Sequence, residues 1–261
     1  MPESPLQDIL QRYFDKVWVV TVPRFRERHT RVTKRLEGIP FAFFNGADKN
    51  DLTPDRIRAE YHYDKKNTLA PGYYFKPLNT GEIACSLSHR MLYEEMIRQQ
   101  YKHVLVLEDD VVPDPQYLDQ LETYLAELPA DWELCYLGYL KNEKRSTGKI
   151  WQQCWYRVMA FLGLSKIPGT MIRRFLPVSY SPHVWKAGFH DCTHAYAISL
   201  SAAEKLVKAQ TPVQYRADNL LTALVLRGEL KAFATKQFLF NQEVFTDLTD
   251  PSQIREKWAR Q

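Results

Sequence analysis

The stretch Val104-Leu105-Val106-Leu107-Glu108-Asp109-Asp110-Val111-Val112 decides the fold. Its four aliphatic residues are too few for a helix, and they predict a strand buried on both faces, as in a largely parallel sheet covered by helices. Such a core cannot hold charge, and the run stops at three consecutive carboxylates. Acids at the carboxyl end of a strand of this kind open onto the crevice where α/β sheets bind ligands. Three of them repel one another unless a cation is held there, and a divalent metal carrying a phosphorylated substrate would supply it. Oxygen-only ligands, with no His or Cys nearby at ligand spacing, favour Mg²⁺ or Mn²⁺ over zinc. A solvated acidic turn that merely ends the strand is the plainer reading.

Working outward, Asn79, Thr80, Gly81 and Glu82 have the spacing of a capping box. Ile83, Leu87, Met91 and Leu92 then continue an apolar stripe toward Gln99. A helix therefore feeds the strand through a short turn at Gln100 to Lys102. Upstream, Lys16 to Val22 reads as a strand, Arg24 to Leu36 as a basic helix stopped by Gly38, and Phe41 to Asn45 as the next strand, so the chain opens with a βαβ unit. Downstream, Asp114 and Pro115 begin a helix whose stripe is Leu118, Leu121, Leu125 and Leu128, and Leu134 to Tyr139 follows as a strand. Ser201 and Glu204 cap a helix after an Ala195 to Leu200 strand. Asp218 sits where an N-cap would start a helix ending at Gly228, and Leu230 to Ala234 supplies a further strand. Alternating elements predict a doubly wound, mostly parallel α/β sheet flanked by helices.

A chain of 261 residues, 45% hydrophobic and 25% charged, can bury one large core. No stretch is long and apolar enough to span a bilayer, and Met1 to Leu10 lacks the layout of a signal peptide, so a cytoplasmic location is expected. Cys85, Cys135, Cys154 and Cys192 show no paired spacing and read as buried thiols. Charge is uneven. Residues 141–188 hold nine Lys or Arg and one acid, Glu143, a net +8 in a chain of net +4. In the same segment Ile150, Trp151, Cys154, Trp155, Val158, Met159 and Leu162 share one helical face. That face is expected to pack on the domain as a lid or subdomain. Its other use is peripheral contact with an anionic membrane. Nucleic-acid binding is not expected, because no recognised nucleic-acid module accompanies the charge.

Gly81-Glu82-Ile83-Ala84-Cys85-Ser86-Leu87-Ser88-His89, followed by Val106-Leu107-Glu108-Asp109-Asp110-Val111, resembles glycosyltransferase family 25, the lipooligosaccharide and collagen galactosyltransferases. The likeness extends over most of the chain. Val19 to Arg24 with Glu27-Arg28 resembles the family's first strand and arginine-rich turn, with Thr21 in place of Asn and Arg26 in place of Pro. Phe43 to Asp48 resembles the second strand and its turn, with Lys49 replacing a Gly. Thr193 to Ser199, Asp218 and Phe240 to Gln242 match later positions. The resemblance implies one domain of the GT-A nucleotide-sugar-binding type over residues 1–261, with a basic, aromatic-rich insertion at about 141–188.

It also implies an inverting, metal-dependent transfer of a hexose, galactose before glucose, from a UDP-sugar to a glycan or lipid-linked oligosaccharide acceptor. On this reading Asp48 lies near the nucleoside, Arg28 and Thr21 near the nucleotide, and Asp109 in the donor site. Asp110 with Glu108 holds Mn²⁺ or Mg²⁺. Ser88 and His89 border the donor sugar, or else merely pack helix on strand. Inversion needs a carboxylate base on the acceptor side, for which Asp218 is the first candidate and Asp191 the second. His194 completes the metal site, contacts the acceptor, or is a satisfied core residue. Two other classes fit the acidic triplet: a metal-dependent phosphodiesterase or nuclease, and a catalytically silent nucleotide-sugar-binding protein.

Overall fold

The structure, a computed structural model, describes residues 5–64, 67–69, 76–142 and 144–243. Glu143 and the first residues of the Met1 to Leu10 segment lie outside them. Ten strands are present among the described residues: β1 (Lys16–Thr21), β2 (Ala42–Asn45), β3 (His103–Glu108), β4 (Val111–Pro113), β5 (Leu134–Leu140), β6 (Val178–Ser179), β7 (Val184–Lys186), β8 (Asp191–Ser199), β9 (Ala232–Thr235) and β10 (Phe240–Gln242). The α-helices are α1 (Pro5–Tyr13), α2 (Arg26–Arg35), α3 (Pro54–Glu60), α4 (Thr80–Gln99), α5 (Pro115–Leu118), α6 (Leu121–Ala126), α7 (Thr147–Phe161), α8 (Gly169–Arg173), α9 (Leu200–Ala209) and α10 (Ala217–Arg227). Eight strands form one sheet in the order β2-β1-β3-β8-β5-β9-β7-β6, and β10 pairs with β4 beside it. Six of the eight point the same way; β8 and β7 run against them. None of the described helices is long and apolar enough to cross a membrane.

The aliphatic run behaves as two-sided burial requires. Val104 and Val106 of β3 pack with Trp18 and Val20 of β1 and with Tyr93 and Met96 of α4 in one core layer. Leu105 and Leu107 turn the other way, onto Val17, Val19 and helices α1, α2 and α6. All four β3 residues are fully buried, each contributing roughly 1.5–3 kcal/mol relative to exposure. The capping box also forms. Asn79 Oδ1 accepts the Glu82 N–H and Glu82 Oε2 accepts the Asn79 N–H, both at 2.9 Å, which fixes where α4 starts and so where Cys85, Ser88 and His89 fall.

Three local expectations are corrected. The 114–128 stripe is not one helix: the backbone tightens where Gln120 N–H bonds the Tyr117 carbonyl, leaving α5 and α6 as separate turns. Ser199, not Ser201, caps α9, accepting from Ala202 N–H, while Ser201 donates instead to Glu133. The N-cap of α10 is Arg216, without a side-chain bond, so Asp218 lies inside the first turn with its carboxylate free for other partners.

Strand β5 bulges at Gly138, where its register with β8 shifts. A Cβ there would stand 2.3 Å from His194 Nε2 and 2.4 Å from the Phe240 carbonyl. Neither the buried ring nor the backbone of β10 has room to retreat. Gly138→Ala is therefore expected to destabilise the fold by about 2–3 kcal/mol, read as a lowered urea midpoint at unchanged slope.

Candidate active site

Strands β1, β2 and β3 are parallel and in register, so Thr21, Asn45 and Glu108 end at one edge of the sheet. The cleft at that edge is lined by Thr21, Arg24, Phe25 and Arg28 from the end of β1 and the start of α2, and by Asp48 and Lys49 after β2. Cys85, Ser88 and His89 of α4, the triplet Glu108-Asp109-Asp110, and Gln242 complete it. It combines three basic side chains with four carboxylates, a balance suited to a phosphorylated ligand bridged by a cation.

The three acids have different environments. Asp109 is already paired: Arg28 Nη1 donates to Oδ1 at 2.7 Å and Thr21 Oγ1 to Oδ2 at 2.6 Å. Burial nevertheless leaves its carboxyl above the usual range, with Arg28 and Thr21 opposing that rise. Glu108 accepts from Thr193 Oγ1 at 2.5 Å, and His89 Nε2 stands 3.6 Å away, beyond hydrogen-bond length. Burial opposes its charge, but His89 and Thr193 outweigh that and hold Glu108 below the usual range. Asp110 is the unsettled one. Gln242 Nε2 donates to Oδ2 at 2.9 Å, while the buried Oδ1 has no partner. Burial first, then the charges of Glu108 and Asp109, push its carboxyl up to about 7.

An orphaned carboxylate oxygen beside a second carboxylate, in an all-oxygen setting, fits a hard divalent cation. Among the described residues no group of three or more His, Cys, Asp and Glu forms a ready-made metal site. Mg²⁺-type sites commonly use one or two carboxylates and complete the shell with substrate phosphates, and Asp110 and Glu108 are the residues that would hold such an ion.

Other candidates have structural duties. Asp48 accepts from Arg24 Nε at 2.5 Å and from the Asn50 N–H at 2.9 Å, which caps the turn after β2. Ser88 Oγ accepts the Ala47 N–H at 2.9 Å, and only a glycine at position 46 allows that approach, since a Cβ there would lie 2.2 Å from Ser88 Oγ. His89 Nδ1 pairs with the Tyr196 hydroxyl at 2.7 Å, leaving the other ring nitrogen turned toward Glu108. His194 is not among the cleft-lining residues. Its Nε2 lies 3.2 Å from the Phe240 carbonyl, and it is buried against Gly138.

Asp191 and Asp218 form a second acidic pair, and neither is among the residues that line the cleft. Asp218 accepts from Cys192 N–H at 3.3 Å and from Asn219 N–H at 2.7 Å, and Asp191 is salt-bridged to Lys141. Burial, then Asp191, raises the Asp218 carboxyl. Burial raises the Cys85 and Cys192 thiols, and the charges of Glu108 and Asp218 raise both further. Cys192 holds φ +69°, a left-handed conformation rare for a residue with a Cβ, at the position that aims its N–H at Asp218. Sequence reasoning missed Gln242 as a site residue, along with Arg24 and Lys49. Gln242 reaches Asp110 from 132 positions away, a separation no local pattern encodes.

Several known proteins are similar in sequence to this chain. The relatives include a glycosyltransferase 25 family member of Anopheles gambiae, 26% identical over 74% of this chain and 28% of its own length. Procollagen galactosyltransferase 2 of Mus musculus is 26% identical over 80% and 31%. A human protein named inactive glycosyltransferase 25 family member 3 is 27% identical over 76% and 29%. The chain thus spans less than a third of the length of each. Among solved structures, glucosyl-3-phosphoglycerate synthase of Mycobacterium tuberculosis aligns at a TM-score of 0.35 and 13% identity over 88% of this chain and 70% of that one, too distant to bear on the site. The sequence model described as glycosyltransferase family 25 (LPS biosynthesis protein) matches residues 14–221, and the chain belongs to that family.

Proposed function

We propose that this chain is an inverting glycosyltransferase that moves a hexose from a UDP-sugar to a hydroxyl of a glycan, with Mn²⁺ or Mg²⁺ held between Asp110 and Glu108. The observation that carries this reading is the buried, unpartnered Oδ1 of Asp110 beside Glu108 in a cleft that also offers Arg24, Arg28 and Lys49. When bound, such an ion supplies Lewis-acid stabilisation of the charge that develops on the leaving diphosphate. The chain's own groups do the rest. Arg28, anchored on Asp109, and Lys49 orient the phosphates, and Asp218, raised by burial, takes the proton of the attacking acceptor hydroxyl. Asp191 is the alternative base. Galactose is favoured as the donor sugar because one relative is named a procollagen galactosyltransferase. A lipid-linked oligosaccharide is the acceptor class favoured here.

Calorimetric titration of UDP-galactose and UDP-glucose, with and without Mn²⁺, tests the donor. Metal-dependent binding of one in preference to the other is the expected result, and well-folded protein that binds neither would sink the assignment. For the base, Asp218→Asn is expected to lower kcat by about 10²–10³-fold with the donor KM little changed, measured as UDP release with acceptor present. The relative named inactive favours one second reading, a silent family member. It predicts metal-dependent UDP-sugar binding with no turnover toward any acceptor.

A further inference from the structure

Helix α7 sits the wrong way round for a soluble domain. It docks through Gln153, Tyr156 and Ala160: Gln153 Nε2 donates to the Ile172 carbonyl at 2.7 Å, and Tyr156 and Ala160 pack partly buried on the core. The opposite face carries the helix's longest apolar stripe, Trp151, Trp155, Val158 and Leu162, spaced at four, three and four residues. That stripe is exposed, Trp151 at 72% and Trp155 at 61%, and Phe161 just beyond it is 90% exposed. The expectation that the apolar face packs on the domain is therefore corrected: no residue of α7 is buried. A helix shows its indoles outward at this scale when another phase or molecule covers them.

Its surroundings select among covers. The whole insertion is strongly basic, and Arg157 of α7 and Arg173 at the end of α8 border an open groove whose other walls include Val158 and Phe161. Apolar side chains that include two tryptophans, flanked by arginines with acids nearly absent, match the boundary between acyl chains and anionic headgroups. A second copy of this chain would bring one basic segment, +8 over residues 141–188, onto another and is disfavoured by repulsion. The insertion leaves β5 after Leu140, supplies β6 and β7 at the far edge of the sheet, and enters β8 at Asp191; Leu140 and Asp191 pair across β5 and β8, and Lys141 and Asp191 form a salt bridge at that junction. The exposed stripe thus belongs to a segment rooted beside the second acidic pair.

We propose that α7 and the α7–α8 groove form a docking face for an anionic membrane surface, with Trp151, Trp155 and Phe161 inserted at the headgroup boundary and Arg157 and Arg173 on lipid phosphates. The inference does not depend on the transfer reaction. It is tested on the full chain by co-sedimentation with vesicles of phosphatidylcholine plus phosphatidylglycerol and with vesicles of phosphatidylcholine alone. Binding to the anionic vesicles that weakens with salt is expected. Trp151→Ser with Trp155→Ser, and separately Arg157→Glu with Arg173→Glu, should each lower the partition coefficient on the order of tenfold or more. Because these side chains are exposed, circular dichroism and Tm of both variants should match the parent, and UDP binding should be unaltered. Equal binding to neutral vesicles, absence of binding, or binding indifferent to the tryptophan pair would overturn the proposal. So would self-association in sedimentation velocity that the same tryptophan pair abolishes.

Discussion

Asp110→Asn is expected to give a well-folded protein that has lost turnover of its UDP-sugar by at least about 10³-fold, since one such ion is worth several kcal/mol of transition-state stabilisation. The substitution keeps the shape of the side chain. It leaves an oxygen to accept from Gln242 Nε2 and removes only the charge. That charge is what the fold tolerates poorly, because burial together with Glu108 and Asp109 already drives the carboxyl up to about 7. A neutral amide relieves the repulsion, so the Tm should stay level or rise, the opposite of what a structural aspartate would do. Two readouts separate loss of a metal ligand from loss of packing. Mn²⁺ with UDP should raise the Tm of the wild type and leave that of the variant unmoved. Calorimetry should show UDP-sugar affinity of the variant equal with and without Mn²⁺, at the level the wild type shows in chelator. A variant that keeps metal-dependent binding would transfer the ligand role to Glu108 alone.

Much of this arrangement is readable from the sequence because it is local. The run from Val104 to Leu107 could only be a two-sided strand, and the acids after it could only lie at its carboxyl end. Asn79 and Glu82 encode the start of α4 within four residues, and that start fixes Cys85, Ser88 and His89 at the cleft. What escaped the sequence is set by partners distant along the chain. Nothing local to Asp109 shows that Arg28, 81 residues away, occupies it. Gln242 reads as an ordinary strand residue until β10 pairs antiparallel with β4 and brings it to Asp110. The α7 stripe was legible as a stripe, but periodicity says which residues share a face and not whether that face turns inward. Here Gln153 decided it, by bonding two carbonyls at the end of α8 and turning the tryptophans out.

The Arg28–Asp109 pair is expected to carry the largest single contribution to the fold around the cleft, and to carry it asymmetrically. Its side chains are 12% and 9% exposed and 2.7 Å apart. Arg28→Ala strands a carboxylate in a site that has Thr21 Oγ1 as its other donor, beside the charges of Glu108 and Asp110. Removing one partner of such a largely buried pair costs about 3–5 kcal/mol, because the charge left behind loses its guanidinium and keeps its desolvation. Asp109→Asn is milder, by roughly 1–2 kcal/mol lost: Thr21 keeps a partner, and the Arg28 guanidinium retains the Phe25 ring 5.3 Å away and an opening to the cleft. Combining the two should recover most of what Arg28→Ala loses, since no buried charge remains, leaving a coupling energy of about 2 kcal/mol or more in a double-mutant cycle read from urea unfolding. Additive losses would mean that Arg28 acts on the fold through contacts other than Asp109. If the cycle does close as expected, Asp109 is a strut that keeps Arg28 aimed along the cleft, and the double variant, stable but without its arginine, should still bind UDP more weakly than the wild type.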